Sequence, residues 1–156
     1  IQTIFNLKNK KKINFDLIHI STDQLYNKKK LKKNNENSKI FLTNNYCKHK
    51  RMAEKICIKN NSLVLRTNFF GKSLSKNKSF FDWIISTFKS KKKFYLFDDV
   101  YFNPLRIKTI VKILSLIIKR KQYLNGGIYN LGSKDPIFKN TFAIQIARKM
   151  KIFHNN

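Results

Sequence analysis

The chain has 156 residues, 42% of them hydrophobic and 13% aromatic, enough apolar surface for one domain with its own core, which excludes disorder throughout. Its 34 basic residues against 8 acidic give a net charge of +26, a balance that taken alone points to nucleic acid or an anionic membrane. The excess lies in lysine, 29 against 5 arginines, and comes with 19 Asn and 20 Ile but only 3 Ala and 4 Gly; AT-rich codons write that set, so the charge reads as compositional drift on a solvated surface, with no specific nucleic acid and no membrane as partner.

In chain order, Ile1–Leu7 reads as the tail of a helix and Asn9–Lys12 as a polar loop. Phe15–Ile20 is a short buried strand ending in the polar trio Ser21-Thr22-Asp23. Residues 27–39, rich in Lys and Asn, are a surface excursion. From Asn45 to Lys59 the pattern is helical, with Met52, Ala53, Ile56 and Cys57 on one stripe, and Asn60-Asn61 stops it. Ser62–Thr67 is a second apolar run bounded by turn-formers, so strand, helix and strand make a βαβ unit and imply a parallel sheet.

The alternation continues. Ser79 caps a helix whose Asp82 sits three residues on, with Phe81, Ile84, Ile85 and Phe88 as its buried stripe. Phe94–Phe97 reads as a strand and Asp98-Asp99 as a turn. A longer helix follows Pro104, with Ile107, Ile110, Val111, Leu114, Ile117 and Ile118 at 3–4 spacing. Asn125-Gly126-Gly127 is a turn, Ile128–Leu131 a strand, and Asn140 opens a last helix through Met150. The fold class is α/β.

No run of 18 apolar residues occurs, because Lys108 and Lys112 interrupt the most apolar stretch, so no transmembrane helix is predicted. The N-terminus has no charged region followed by an apolar one, hence no secretory signal, although a start at Ile1 leaves the true beginning open. Cys47 and Cys57 lie ten apart, and His19, His49 and His154 lack ligand spacing. Reduced thiols in a cytoplasm and no metal site are expected.

Tyr46 and Lys50 are four apart at the start of a helix, on one face and about 5–6 Å apart at Cβ. A phenol is a poor acid at neutral pH, but an ammonium beside it stabilises the phenolate, so Tyr46 is placed to pass a proton to a carbonyl oxygen as that oxygen becomes an alkoxide. With 29 lysines in 156 residues, any tyrosine meets one four places on about one time in five, so the pair alone says little. Thr22 adds to it. It falls just past a predicted parallel strand, at the edge where open α/β sheets hold their ligands, and its hydroxyl suits the same carbonyl oxygen. The plainer alternative is that Ser21-Thr22-Asp23 merely starts a turn.

These blocks resemble the extended short-chain dehydrogenase/reductases, and most closely the dTDP-4-dehydrorhamnose reductases with their substrate-binding domain. Ile20-Ser21-Thr22-Asp23 is similar to the family's I-S-T-D, and Tyr46, Lys50 and Glu54 to its Y-G-x-S-K-x-x-G-E. Leu65-Arg66-Thr67 resembles its L-R-T, Asp99–Pro104 its D-x-x-x-S-P, and Gly127–Leu131 its G-x-Y-H-L. The resemblance implies the C-terminal part of a Rossmann-type NAD(P)-binding domain over residues 1–70 and a mainly substrate-binding α/β region over 71–156. It implies Tyr46 as proton donor, Lys50 lowering its pKa and binding the nicotinamide ribose, and Thr22 polarising the carbonyl. Ser21, Tyr46 and Lys50 are then the cofactor residues and Asp23, Asn68 and Asn103 the substrate residues. NADPH or NADH as hydride source, a nucleotide-linked 4-keto sugar as substrate and a homodimer of the full-length protein complete the expectation. Glu54 is assigned no chemistry and is expected to bury against its helix's neighbours.

Departures from the family pattern are specific. Arg66 to Gly71 is one residue shorter than R-T-x-W-x-x-G, Phe69 stands where Trp is expected, and Cys47 and His49 replace Gly and Ser around the lysine. No G-x-x-G-x-x-G occurs, and Gly71, Gly126, Gly127 and Gly132 are too late and scattered to supply the turn that approaches a pyrophosphate. An internal fragment, inactive by itself, is therefore expected. The competing readings are a nucleotide-sugar epimerase or dehydratase of the same superfamily, a non-catalytic relative, and a basic nucleic-acid binder, the last lacking a basic-aromatic stacking pattern.

Overall fold

The structure is a computed structural model that describes residues 1–26, 33–90, 92–121 and 125–153. His154 and residues 27–32 of the predicted excursion lie outside them. The chain divides into two compact units, Ile1–Thr67 with Val111–Leu131, and Asn68–Ile110 with Gly132–Asn156. The chain leaves the first unit after Thr67 and re-enters it at Val111.

The first unit is built on a three-stranded parallel sheet in the order β1-β2-β6, from β1 (Ile18–Thr22), β2 (Leu63–Thr67) and β6 (Gly127–Leu131). Every residue of β2 is buried, as a central strand covered on both faces requires, and this is why Leu63–Thr67 shows no polar alternation. Helix α2 (Asn45–Lys59) makes the crossover between β1 and β2. Asn44 caps it, its side chain accepting from the Cys47 N–H at 2.8 Å, and its inner stripe buries Cys47, Glu54 and Cys57. Strand β6 enters through Gly126 at φ 85°, where a Cβ would stand 3.0 Å from the backbone of Asn61. Only glycine fits both the left-handed backbone and that approach.

Helix α1 spans Gln2–Lys11 and absorbs the segment expected to be a loop from Asn9 to Lys12. Lysines are good helix formers and need no apolar partner on a solvated face; Lys8, Lys10 and Lys11 sit in the last turn, where cations favour the helix dipole. The helix ends at Lys12, at φ 50°. Strand β1 begins at Ile18 rather than Phe15 and runs on through Ser21 and Thr22. The polar trio therefore does not follow the strand: two of its members are in it, paired with Arg66 and Thr67 of β2.

The second unit has a different interior. Helix α3 (Phe80–Lys89) starts at a capping box in which Ser79 accepts from the Asp82 N–H and Asp82 accepts from the Ser79 N–H. Ile84 of α3 packs with Phe102, Phe142 and Ala143, surrounded by Phe70, Phe80, Trp83, Phe88, Leu96, Ile137 and Ile146. Phe142 and Ala143 belong to α5 (Lys139–Lys149). Two small ladders brace this core: β3 (Phe69–Phe70) runs parallel to β5 (Leu105–Arg106), and β4 (Tyr101–Phe102) antiparallel to β7 (Ile137–Phe138). The remaining helix, α4 (Ile107–Arg120), begins in this unit and continues into the first.

The predicted strand Phe94–Phe97 is not one. Leu96 packs on the core while Tyr95 and Phe97 are exposed, so the side chains alternate as in a strand, but the backbone has no ladder to join. The four short strands were missed for the converse reason, since two residues carry no period and exist as strands only through their partners.

Candidate active site

Of the predicted relay residues, Thr22 ends β1, and Tyr46 and Lys50 stand on α2 of the same unit. Thr22 is the last residue of β1 and is buried; its Oγ1 accepts from the Gln24 N–H at 3.2 Å. That bond starts the single 3-10 turn Asp23–Tyr26, which Asp23 opens. Thr22 thus does what the plainer reading expects of a turn-starter, yet accepting there leaves its own O–H as a donor.

Tyr46 lies in the first turn of α2 with about half of its surface exposed. Lys50, one turn on, holds its Nζ 5.7 Å from the Tyr46 ring centroid and donates to the Ile20 carbonyl oxygen at 2.8 Å. The ammonium is therefore fixed on β1 two residues before Thr22, with two of its three N–H donors still to place among the described residues. Beside Thr22 in register is Thr67, buried, with an Oγ1 that has no hydrogen-bond partner among the described residues. Buried hydroxyls are nearly always paired, so an orphan at the carboxyl edge of a parallel sheet marks a place for a polar ligand atom. The sequence reading passed over Thr67; its only signal was the register that sets it beside Thr22.

Ser21 faces the other way. Its hydroxyl donates to Glu54 Oε1 at 2.7 Å, so the structure gives this expected cofactor residue a partner inside the fold. Glu54, expected to bury against its helix's neighbours and assigned no chemistry, is fully buried and is the centre of a polar cluster. Arg66 donates to it from Nε at 2.8 Å and from Nη2 at 2.7 Å, and Arg51 from Nη1 at 2.9 Å. Arg66 also donates to the Tyr26 hydroxyl at 2.6 Å and to the Glu36 carbonyl at 3.2 Å; the Tyr26 hydroxyl in turn donates to Asn130 Oδ1 at 2.8 Å. Burial pushes the Glu54 carboxyl up, but the hydrogen bonds from Arg66, Ser21 and Arg51 outweigh it and hold the group below the usual carboxylate range. Burial likewise opposes the charge on Arg66, and Glu54 and Tyr26 more than restore it. His19, also on β1, is held below its ordinary value by burial first and the Lys50 ammonium second, against the opposing pull of Glu54. Its Nε2 is buried without a hydrogen-bond partner among the described residues.

Asn68 and Asn103, the remaining substrate candidates, belong to the second unit. Asn68 accepts the Leu105 N–H on its carbonyl at 3.0 Å. Asn103 donates from Nδ2 to the Ser133 carbonyl at 2.9 Å and accepts the Ser133 N–H at 3.3 Å. Among the described residues no group of three or more His, Cys, Asp or Glu is arranged to hold a metal ion, and no helix is long and apolar enough to cross a membrane. Cys47 and Cys57 are free and buried.

Residues 7–156 match the family model described as the RmlD substrate binding domain. Among solved structures the chain is similar to a dTDP-4-dehydrorhamnose reductase from Clostridium acetobutylicum, at 20% identity and a TM-score of 0.73, covering 88% of this chain and 48% of that one. It is also similar to the dTDP-4-dehydrorhamnose reductase of Bacillus anthracis in complex with NADP, at 20% identity and 0.75, covering 90% and 49%. A third likeness is to the UDP-glucuronic acid 4-epimerase of Bacillus cereus in complex with NAD, at 18% and 0.78, covering 99% and 52%. At these identities the likeness is one of fold, a Rossmann-type α/β arrangement. The chain spans about half the length of the solved proteins it matches. No curated protein matches it.

Proposed function

The chain belongs to the RmlD substrate binding domain family, and from that premise we propose that it carries the proton relay and sugar-binding half of an NAD(P)H-dependent reductase. Its substrate is a nucleotide-linked 4-keto sugar, in a reaction of the dTDP-4-dehydrorhamnose to dTDP-rhamnose type. The observation that carries this reading is the anchoring of Lys50 on the Ile20 carbonyl with the Tyr46 ring beside it.

In this reading the Tyr46 O–H gives its proton to the carbonyl oxygen of the sugar while the Thr22 O–H donates a hydrogen bond to the same oxygen. The residues present suit the nicotinamide-ribose end of a dinucleotide. Lys50 has donors to spare for ribose hydroxyls, and the orphaned Thr67 hydroxyl supports a polar ligand atom at this edge. When bound, NADPH or NADH supplies the hydride that adds to the carbonyl carbon. The Lys50 side chain stands beside the phenol that releases the proton. Asp23, Asn68 and Asn103 are proposed for the sugar. The pyrophosphate-binding glycine turn is not in residues 1–156, so the activity is that of a polypeptide joining this chain to such a turn. Free, buried Cys47 and Cys57 support a reducing, cytoplasmic setting.

The test is Tyr46→Phe in that joined polypeptide. Reduction of dTDP-4-keto sugar falls about 10²–10⁴-fold, as for a lost general acid, with NADPH affinity nearly unchanged. Activity within a few-fold of the parent removes Tyr46 from the mechanism. Because an epimerase or dehydratase of this fold uses the same three groups, the products decide between them: a reductase consumes NAD(P)H stoichiometrically and an epimerase does not.

A further inference from the structure

Tyr46, Lys50 and Glu54 follow one another at four-residue spacing on α2, and the last two are both tied to β1. Lys50 Nζ bonds the Ile20 carbonyl, and Glu54 Oε1 accepts from Ser21, the next residue of the strand. Glu54 is clasped at the same time by Nε and Nη2 of Arg66 on β2. Ser21, Arg66 and Asn130 are in register, so they form a row across all three strands. The row immediately after it begins with Thr22 and Thr67. Sliding α2 by one turn, about 5.4 Å, would break both anchors and leave Glu54 and Arg66 as unpaired buried charges. The 3-10 turn joins the row through Tyr26, and the loop that leads to α2 joins it through Glu36, whose carboxylate accepts the Asn130 N–H at 2.7 Å.

A buried ion pair is a poor device for stability, because desolvating both charges consumes most of what their attraction returns. Its better-attested use is to fix register, since any other alignment strands a charge in the interior. We propose that Glu54 and Arg66 are positioning residues: their pair, with Ser21, sets α2 on β1 and β2 and thereby holds the Tyr46 hydroxyl and the Lys50 ammonium against Thr22. The proposal rests on the reading of Tyr46, Lys50 and Thr22 as the relay. It makes the buried cluster part of the chemistry through geometry alone, since Glu54 is fully buried.

Three variants in the joined polypeptide test it. Glu54→Asp keeps the charge and draws the clasp in by one methylene. It stays folded, and turnover drops about tenfold or more with KM within about twofold, because misplacement of about 1 Å is enough to cost up to about 10²-fold in rate. The double variant Glu54→Met with Arg66→Met removes both charges and fills their space, so it melts no lower than the parent; turnover still drops by about tenfold or more at nearly unchanged KM. A folded Glu54→Asp or double variant with parental turnover overturns the proposal, and if the double variant does not fold, Glu54→Asp decides. Tyr46→Phe separates the two claims. Parental activity there rejects the relay, whereas a dead Tyr46→Phe beside a fully active Glu54→Asp rejects only the positioning role.

Discussion

The two units solve the problem of holding a small core together with opposite chemistry. Around Ile84 and Phe142 the second unit is oily: Phe70 meets Phe142 edge to face at 4.8 Å, and Phe80 stacks on Trp83 at 5.7 Å. Aromatic contacts of that kind tolerate small shifts, because dispersion and area burial change smoothly with distance. The first unit places a carboxylate and a guanidinium, both almost fully buried, in the middle of its sheet-helix interface. Their partners are all specified by direction, so the interface has one good alignment and no neighbours of comparable energy. In the proposed function the first unit carries Thr22, Tyr46 and Lys50, and a proton relay gains from that rigidity.

The sharpest way to break the comparison is Arg66→Met alone. It leaves the Glu54 carboxylate buried with only Arg51 and Ser21, and should destabilise the first unit by about 3–5 kcal/mol, measured by denaturant unfolding. A loss below about 1 kcal/mol would mean the pair is not the organising contact. In the second unit the matching substitution is Ile84→Ala. Deleting a fully buried side chain costs about 2–3 kcal/mol, near the low end for such changes because the surrounding aromatic rings can collapse into the space.

Acid separates the units next. His19 is held neutral in the folded state and takes a proton near pH 6.5 when unfolded, so the unfolded chain binds more protons below that value. Its contribution is complete above about pH 6.5 and drains away as pH falls toward the depressed folded value. The Glu54 carboxyl, also lowered on folding, adds a second loss that begins as pH falls through about 4.3, the unfolded value. Amide protection factors, corrected for the intrinsic slowing of exchange in acid, should therefore fall in β1 and α2 as pH drops below about 6.5 while those of α3 hold; equal loss in both helices would contradict this assignment. The smallest effect is Ser79→Ala, which removes the α3 cap for about 1 kcal/mol, read as faster exchange in the first turn of α3 with the rest of the unit unchanged.

Much of the molecule was legible from residue order. Helix α2 spans the predicted Asn45–Lys59 and stops at Asn60-Asn61, although Met52 of the predicted stripe is exposed and Cys47 and Glu54 are buried in its place. The runs at Leu63–Thr67 and Gly127–Leu131 are parallel strands, and Ser79 with Asp82 forms the capping box its spacing announced. These features are local, decided by side-chain period, cap chemistry and turn residues within a few positions. Tyr46 and Lys50 were equally readable, being one helical turn apart. What the sequence could not decide were matters of partnership. Phe94–Phe97 has the alternation of a strand and nothing to pair with, while Phe69–Phe70 and Tyr101–Phe102 lack any pattern and are strands through their neighbours. Thr67 became a candidate ligand contact only when register set it beside Thr22 and left its hydroxyl unmatched. Glu54, an ordinary acidic residue on a helix when read along the chain, meets Arg66 twelve positions later only because the crossover folds α2 onto β1 and β2. Period and capping act between residues near in sequence. The enclosure of a charge, and hence its cost and its use, depends on which distant segments close around it.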